Sequence, residues 1–304
     1  MTMKDTSGSQ HIAGQWTRRH ILGTTAAGAA AWALPSQAFG AAKPKEIPIG
    51  VQLYSMRGDC DKDIDAVLQR VAKMGFAGVE FYGNSYFKYN KKAKELRKRL
   101  DDLNLKSEGI HAATSALKGD ELKSTIEVGK ILGSRFIIVP GDGDITHPEK
   151  SKALAEVFNK AAEVLKPHGL FCGFHNHTSE FKKEGDKTYW DLFAERTSKD
   201  VVLQQDVGHT AAAGVDPVAL FRKYPGRSGS THFAPHADRK QAGKKAIIGQ
   251  DSIDWKACIT ACREVGATEW FVIEQESYPD GRSPMECTEM SLAGLKKILA
   301  DMAK

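Results

Sequence analysis

Short apolar runs alternate with stretches of helical spacing along most of the chain. Ile47–Tyr54 predicts a first strand, ending beside Ser55 and Arg57. Asp63–Met74 then carries Ile64, Val67, Leu68 and Val71 at helical intervals and stops at Gly75. Gly78–Gly83 predicts a second strand with Glu80 near its end, and Lys91–Leu103 a charged helix. Leu105–His111 reads as strand three, Leu122–Leu132 as a helix stopped by Gly133, and Arg135–Pro140 as strand four. The helix Pro148–Leu165 leads to a fifth strand from Gly169 into Gly173–Phe181. Val201–Asp206 makes strand six, Pro217–Tyr224 a short helix and Gly229–Phe233 strand seven. Helix Trp255–Val265, strand Trp270–Glu276 and helix Met285–Met302 finish the pattern. Eight strand-then-helix units at this length predict a (β/α)8 TIM barrel.

Gly173–Phe181 reads GFHNHTSEF. Alternate side chains of an extended chain share a face, so His175 and His177 point the same way, with Glu180 just beyond. Neutral imidazole and carboxylate are ligands for a borderline divalent metal. Barrel active sites lie at the C-terminal ends of the strands. Those ends also carry Glu80, His111, Asp206, His209, His232, His236, Glu274 and Glu276. A single histidine or glutamate there has an ordinary surface explanation. Together they suit metal-assisted proton chemistry on a polar substrate.

The residues before the barrel change the picture of where the protein works. Thr17-Arg18-Arg19 precedes a mildly apolar Ala/Gly-rich run, Gly23–Leu34, and small residues near Ala38–Ala41 offer a cleavage site. This predicts a signal peptide over residues 1–41, ahead of a barrel over 46–304. The paired arginines resemble the twin-arginine export class. That resemblance implies the twin-arginine machinery as a partner and a periplasmic or otherwise exported destination. The apolar run is too short to span a bilayer.

Composition adds exclusions. Of 304 residues, 41% are hydrophobic and 27% charged, enough for a single large core. The net charge of +5 is spread thinly, without the basic-aromatic cluster of a nucleic-acid binder. No Gly-x-Gly-x-x-Gly follows the first strand, which disfavours a dinucleotide fold. The five cysteines are scattered without metal-ribbon spacing and read as buried thiols.

From about Ile47 onward the chain resembles the sugar phosphate isomerase/epimerase superfamily, the xylose-isomerase-like or AP-endonuclease-2-like barrels. The resemblance rests on Gly50-Val-Gln-Leu-Tyr-Ser55, Gly75-Phe-Ala-Gly-Val-Glu80-Phe and Phe174-His-Asn-His177. It continues through Asp206, Ala213–Pro217, Gly249–Trp255 and Val272-Ile-Glu274-Gln-Glu276. It implies a divalent ion, manganese foremost with zinc, cobalt or magnesium as alternatives, held by Glu180, Asp206, His232 and Glu274. Sugar epimerases of this kind carry a glutamate near position 175, where this chain has His175. Either Glu180 reaches back to the ion, the favoured arrangement, or the imidazole takes the place. Relatives often read His-x-Lys-Asp on strand seven, where this chain has His232-Phe-Ala-Pro-His236.

The resemblance implies a sugar isomerase or epimerase abstracting a proton α to a carbonyl. Glu274, His175 and His177 are then the catalytic residues. Glu80, His111, Arg57, His209, His236 and Glu276 are the substrate contacts. A lyase or dehydratase acting on a keto-sugar is the close alternative, and a non-catalytic carbohydrate-binding barrel a further one. A small carbohydrate is the expected substrate, nucleic acid is not expected, and homo-oligomers are common among such barrels.

Overall fold

A computed structural model of the chain describes residues 46–83 and 92–304. The leader expected over residues 1–41 and the start of the helix expected at Lys91 lie outside them. Eight parallel strands form the predicted barrel: β1 Ile49–Gln52, β2 Gly78–Phe81, β3 Lys106–His111, β4 Phe136–Val139, β5 Phe171–His175, β6 Val202–Gln204, β7 Ser230–Phe233 and β8 Trp270–Ile273. Neighbouring strands run in the order β6-β5-β4-β3-β2-β1-β8-β7. The seam between β6 and β7 closes through a parallel bridge of Asp206 with His232. Two backbone bonds flank it, Leu203 N–H to Arg227 O at 2.7 Å and His232 N–H to Gln205 O at 2.9 Å.

The helices are α1 Arg57–Met74, α2 Ala93–Asp102, α3 Gly119–Leu132, α4 Lys150–Leu165, α5 Tyr189–Arg196, α6 Val207–Ala212, α7 Pro217–Lys223, α8 Trp255–Ala261 and α9 Pro284–Met302. Helix α1 begins earlier than the apolar spacing predicts. Asp63 breaks it with φ −155°, and its side chain accepts the N–H of Ala66 at 3.0 Å. The regular part therefore starts where the spacing does, behind a side-chain cap. Gly75 ends α1 at φ 86°, a left-handed position that glycine occupies without steric cost. Helix α5 is short and buries Tyr189, Trp190, Phe193 and Ala194 on one side. It is set by a capping box in which Thr188 and Asp191 satisfy each other's backbone N–H groups. The helix read as Trp255–Val265 is α-helical only to Ala261 and continues as a π-turn over Cys262–Gly266.

The helices pack their apolar faces on the outside of the strands. Inside the barrel, Phe136, Ile138, Phe171 and Val202 form a separate apolar plug with Trp270 against it. Gly173 allows β5 and β6 to close on this plug, because a Cβ there would lie 2.5 Å from the Val202 carbonyl oxygen. Buried Gln52, Glu80, Glu108, Gln204 and Ser230 add a polar layer to the interior. That layer is unusual for a barrel core, which aliphatic side chains normally fill. All five cysteines are buried and unbridged. Among the described residues no helix is long and apolar enough to cross a membrane.

Candidate active site and metal centre

The strand ends bring most of the predicted residues together. His175 ends β5, His232 lies in β7, Asp206 stands two residues past β6, and Glu274 directly follows β8. Their ligand atoms all lie within 4.8 Å of one another, and all four residues are buried. Asp206 Oδ1 accepts the N–H of His209 at 2.6 Å, which starts α6. Its Oδ2 is buried without a hydrogen-bond partner. An orphaned carboxylate oxygen is costly inside a protein. Facing two imidazoles and a second carboxylate, it fits a site for a divalent cation. Glu180 stands apart from this quartet. Its carboxylate accepts the backbone N–H of His177 at 2.9 Å and so pins the turn that follows β5.

The polar layer fixes the imidazoles from within. Gln204 Oε1 accepts from His111 Nε2 at 2.8 Å and from His175 Nδ1 at 3.2 Å. The Gln204 amide donates to Glu80 Oε1 at 2.9 Å and to Ser230 Oγ at 2.8 Å. Glu80 also receives Gln52 Nε2 at 2.8 Å and His232 Nε2 at 2.5 Å. The other nitrogen of His232 lies 2.7 Å from Glu274 Oε2. The His111 ring stacks on His232, with centroids 5.1 Å apart and planes 12° from parallel.

Charge follows from these contacts. Burial and the neighbouring imidazoles push the pKa of His175 well below the usual histidine range, so it stays neutral with a lone pair to offer. Burial works against a charge on His232, but Glu80 and Glu274 outweigh it and raise its pKa well above the usual range. Burial pushes Asp206 up to about 6. For Glu80 burial is overcome by His111 and His232, which bring it down to about 2.

A cavity of about 480 Å³ opens above the quartet, lined by Tyr54, Arg57, Tyr82, His111, His175, His177, Glu274 and Glu276, among others. His209 and Glu276 meet at its edge, Nε2 to Oε2 at 3.2 Å. Burial lowers the pKa of His209, but the bond to Glu276 overrides it and brings it to about 9. Burial and His209 lower that of His177, whose ring lies 4.8 Å from that of His209. A neutral and a cationic imidazole thus face one another beside the cavity.

Of the other expected contacts, Arg57 lines the cavity, whereas Glu80 and His236 do not. Glu80 is fully buried and bonded within the barrel, away from the cavity lining. The Arg57 guanidinium donates to Tyr54 O at 3.1 Å and lies 4.3 Å from the centre of the Tyr54 ring. The backbone N–H of His236 is held by Asp251 Oδ2 at 3.2 Å, and His236 does not line the cavity. Gln52, Glu108 and Gln204 were not anticipated, since they are not strand-end residues with titratable chemistry on view. Gln204 carried a signal: it precedes Asp206 by two in a strand and so shares its inward face.

A family profile described as xylose isomerase-like TIM barrel matches residues 68–298. Among curated relatives, an inosose dehydratase from Clostridium botulinum (strain Alaska E43 / Type E3) is 24% identical over 265 residues, covering 74% of this chain and 86% of the relative. A sugar phosphate isomerase/epimerase from Parabacteroides distasonis ATCC 8503 aligns with TM-score 0.69 at 24% identity, over 84% of this chain and 97% of that one. The IOLI protein, solved with a bound zinc atom, aligns with TM-score 0.63 at 15% identity, over 84% of this chain and 99% of its own. At these identities the structural likeness is one of fold.

Proposed function

The chain belongs to the xylose isomerase-like TIM barrel family, and on that premise we propose that it is a divalent-metal-dependent dehydratase acting on a cyclic or open-chain polyhydroxy ketone. The observation that carries this reading is His175 in the quartet with Asp206, His232 and Glu274. Of these four, only Glu274 brings a carboxylate to the cavity lining; of the other two lining carboxylates, Glu276 pairs with His209 and Asp61 accepts from Tyr82. Epimerisation by two opposed carboxylates needs a second one at that position. Elimination of water needs one base and one acid. The name of the inosose dehydratase relative supports the same choice.

In this reading His175, Asp206, His232 and Glu274 hold the ion, and the zinc in the IOLI structure supports such a group. When bound, the ion supplies Lewis-acid stabilisation of negative charge developing on a substrate oxygen. His177, neutral and on the cavity wall, removes the proton α to the ketone, with Glu274 as the second base within reach. The electron pair of that C–H bond forms the new double bond as the β C–O bond breaks. His209, cationic beside Glu276, protonates the departing hydroxide, and water leaves. Tyr54 and Tyr82, with ring centroids 5.6 Å apart, offer aromatic surface to the substrate's carbon face.

The test uses purified protein with manganese, zinc or cobalt, keto-cyclitols and ketohexoses in deuterium oxide, followed by proton NMR. Loss of water, abolished by chelation, is the expected result. Deuterium uptake with inversion or carbonyl migration, and no dehydration, would make the protein the isomerase or epimerase that its motifs also resemble. Absence of exchange on every substrate would leave a carbohydrate-binding barrel. We also propose export by the twin-arginine route, tested by fractionating cells with and without Arg18→Lys/Arg19→Lys. Unchanged export of that variant would overturn it.

A further inference from the structure

Glu80 is 0% exposed, so the substrate contact expected of it is sterically closed. Its carboxylate instead gathers donors from three other strands and lies beside the His111 imidazole of a fourth. Oε2 receives Gln52 Nε2 at 2.8 Å and His232 Nε2 at 2.5 Å, and His111 Nε2 lies 3.3 Å away. Oε1 receives Gln204 Nε2 at 2.9 Å. A carboxylate held at both oxygens has no freedom to rotate, and it presents a fixed acceptor to the inner edge of His232.

The two nitrogens of an imidazole are linked: a proton held on one leaves the lone pair on the other. Nε2–H of His232 donates to Glu80. Nδ1 faces Glu274 Oε2 at 2.7 Å and the orphaned Asp206 Oδ2 at 4.0 Å, and the proton it shares with Glu274 is the one a bound cation would replace. Hydrogen bonding of the distal nitrogen to a carboxylate both orients a ligating histidine and raises its basicity. We propose that Glu80 is the positioning residue of the metal site, fixing the ring of His232 with Nδ1 outward and thereby setting the affinity of the quartet for a divalent cation. The inference rests on the metal reading above and extends it to a residue that touches neither ion nor substrate.

The test compares the wild type with Glu80→Gln, Glu80→Met and Glu108→Gln. Cobalt affinity is measured by chelator competition, the visible absorption of the cobalt complex reports ligand geometry, and metal-free thermal unfolding reports the fold. Glu80→Met is expected to bind cobalt about 10–100-fold more weakly with an altered spectrum. Glu80→Gln keeps an oxygen acceptor and folds in the same shape, so it recovers part of the loss. Glu108→Gln changes the same polar layer without a hydrogen bond to His232, and its amide can still donate to the neighbouring Glu80, so it stays close to wild type. In the zinc-loaded wild type, nitrogen NMR is expected to find the His232 proton on Nε2. Wild-type affinity and spectrum in both Glu80 variants, or an equal loss in Glu108→Gln, would overturn the proposal alone. A wild type that takes up no cobalt would overturn the metal reading and this proposal with it.

Discussion

Asp206 and His232 are paired twice. Their backbones form the bridge that closes the barrel, and their side chains bring Oδ2 to within 4.0 Å of Nδ1. Asp206 also starts α6 by accepting the N–H of His209. One residue thus follows a strand, caps a helix and turns an unpartnered oxygen into the site.

A ligand bound only by the folded state stabilises it by about 2.7 kcal/mol at a hundred times its dissociation constant. Manganese, zinc or cobalt should therefore raise the thermal midpoint of the wild type. In Asp206→Ala the increment disappears. That variant also loses a helix cap worth about 1 kcal/mol, so the quantity to read is the rise on adding metal. An equal rise in the variant would remove Asp206 from the site.

His175 and Glu180 separate by the same measurement. His175→Ala should lose metal affinity with little change in the metal-free fold. Glu180→Ala should keep its metal but unfold earlier, by about 1–3 kcal/mol, because the His177 N–H loses a charged acceptor. The reverse pattern in urea titrations and metal analysis would make Glu180 the ligand.

The contrast shows what the sequence held and what it did not. Eight strands and most helices follow from apolar periodicity and glycine stops such as Gly75 and Gly133. Helix α5 eluded that reading because its stripe of Tyr189, Trp190, Phe193 and Ala194 spans only about two turns behind the Thr188–Asp191 cap. The quartet was legible except at strand five, where the choice between His175 and Glu180 depends on how a turn folds. Interior alternation was hidden on β3 by a bulge. Val79 pairs with Ser107 and Glu80 with Gly109, leaving Glu108 as the extra residue. The bulge lets Glu108 and His111, three apart, both join the interior network.

Removing the base should slow chemistry and leave binding intact. His177→Ala is expected to lower kcat by about 10²–10⁴-fold with metal content unchanged. The substrate KM should move far less. Steady-state kinetics beside metal analysis checks both, and metal loss in this variant would reassign His177 as a ligand.

Asp251 gives the pH dependence. It accepts Trp255 Nε1–H at 2.8 Å and the N–H groups of Gly249 and His236, both at 3.2 Å. Burial nevertheless pushes its pKa from 3.8 up to about 6. The folded state therefore binds the proton more tightly than the unfolded one, and Asp251's contribution is greatest below about pH 4. It falls as pH rises to about 6 and is level beyond. Against Asp251→Asn, the wild type should lose up to about 3 kcal/mol of relative stability across that window. Urea midpoints at pH 4, 5, 6 and 7 test this, and a constant difference between the two proteins would refute it.

The seam at Asp206 and His232 carries one more consequence. Closed barrels are protected from aggregation because they present no free strand edge. Here the last closure is made at residues of the site itself, with only two flanking backbone bonds. Whatever grips Asp206 and His232 together also clamps β6 to β7. Whatever parts them bares two edges able to recruit another molecule. A cation held there as proposed would also brace the seam.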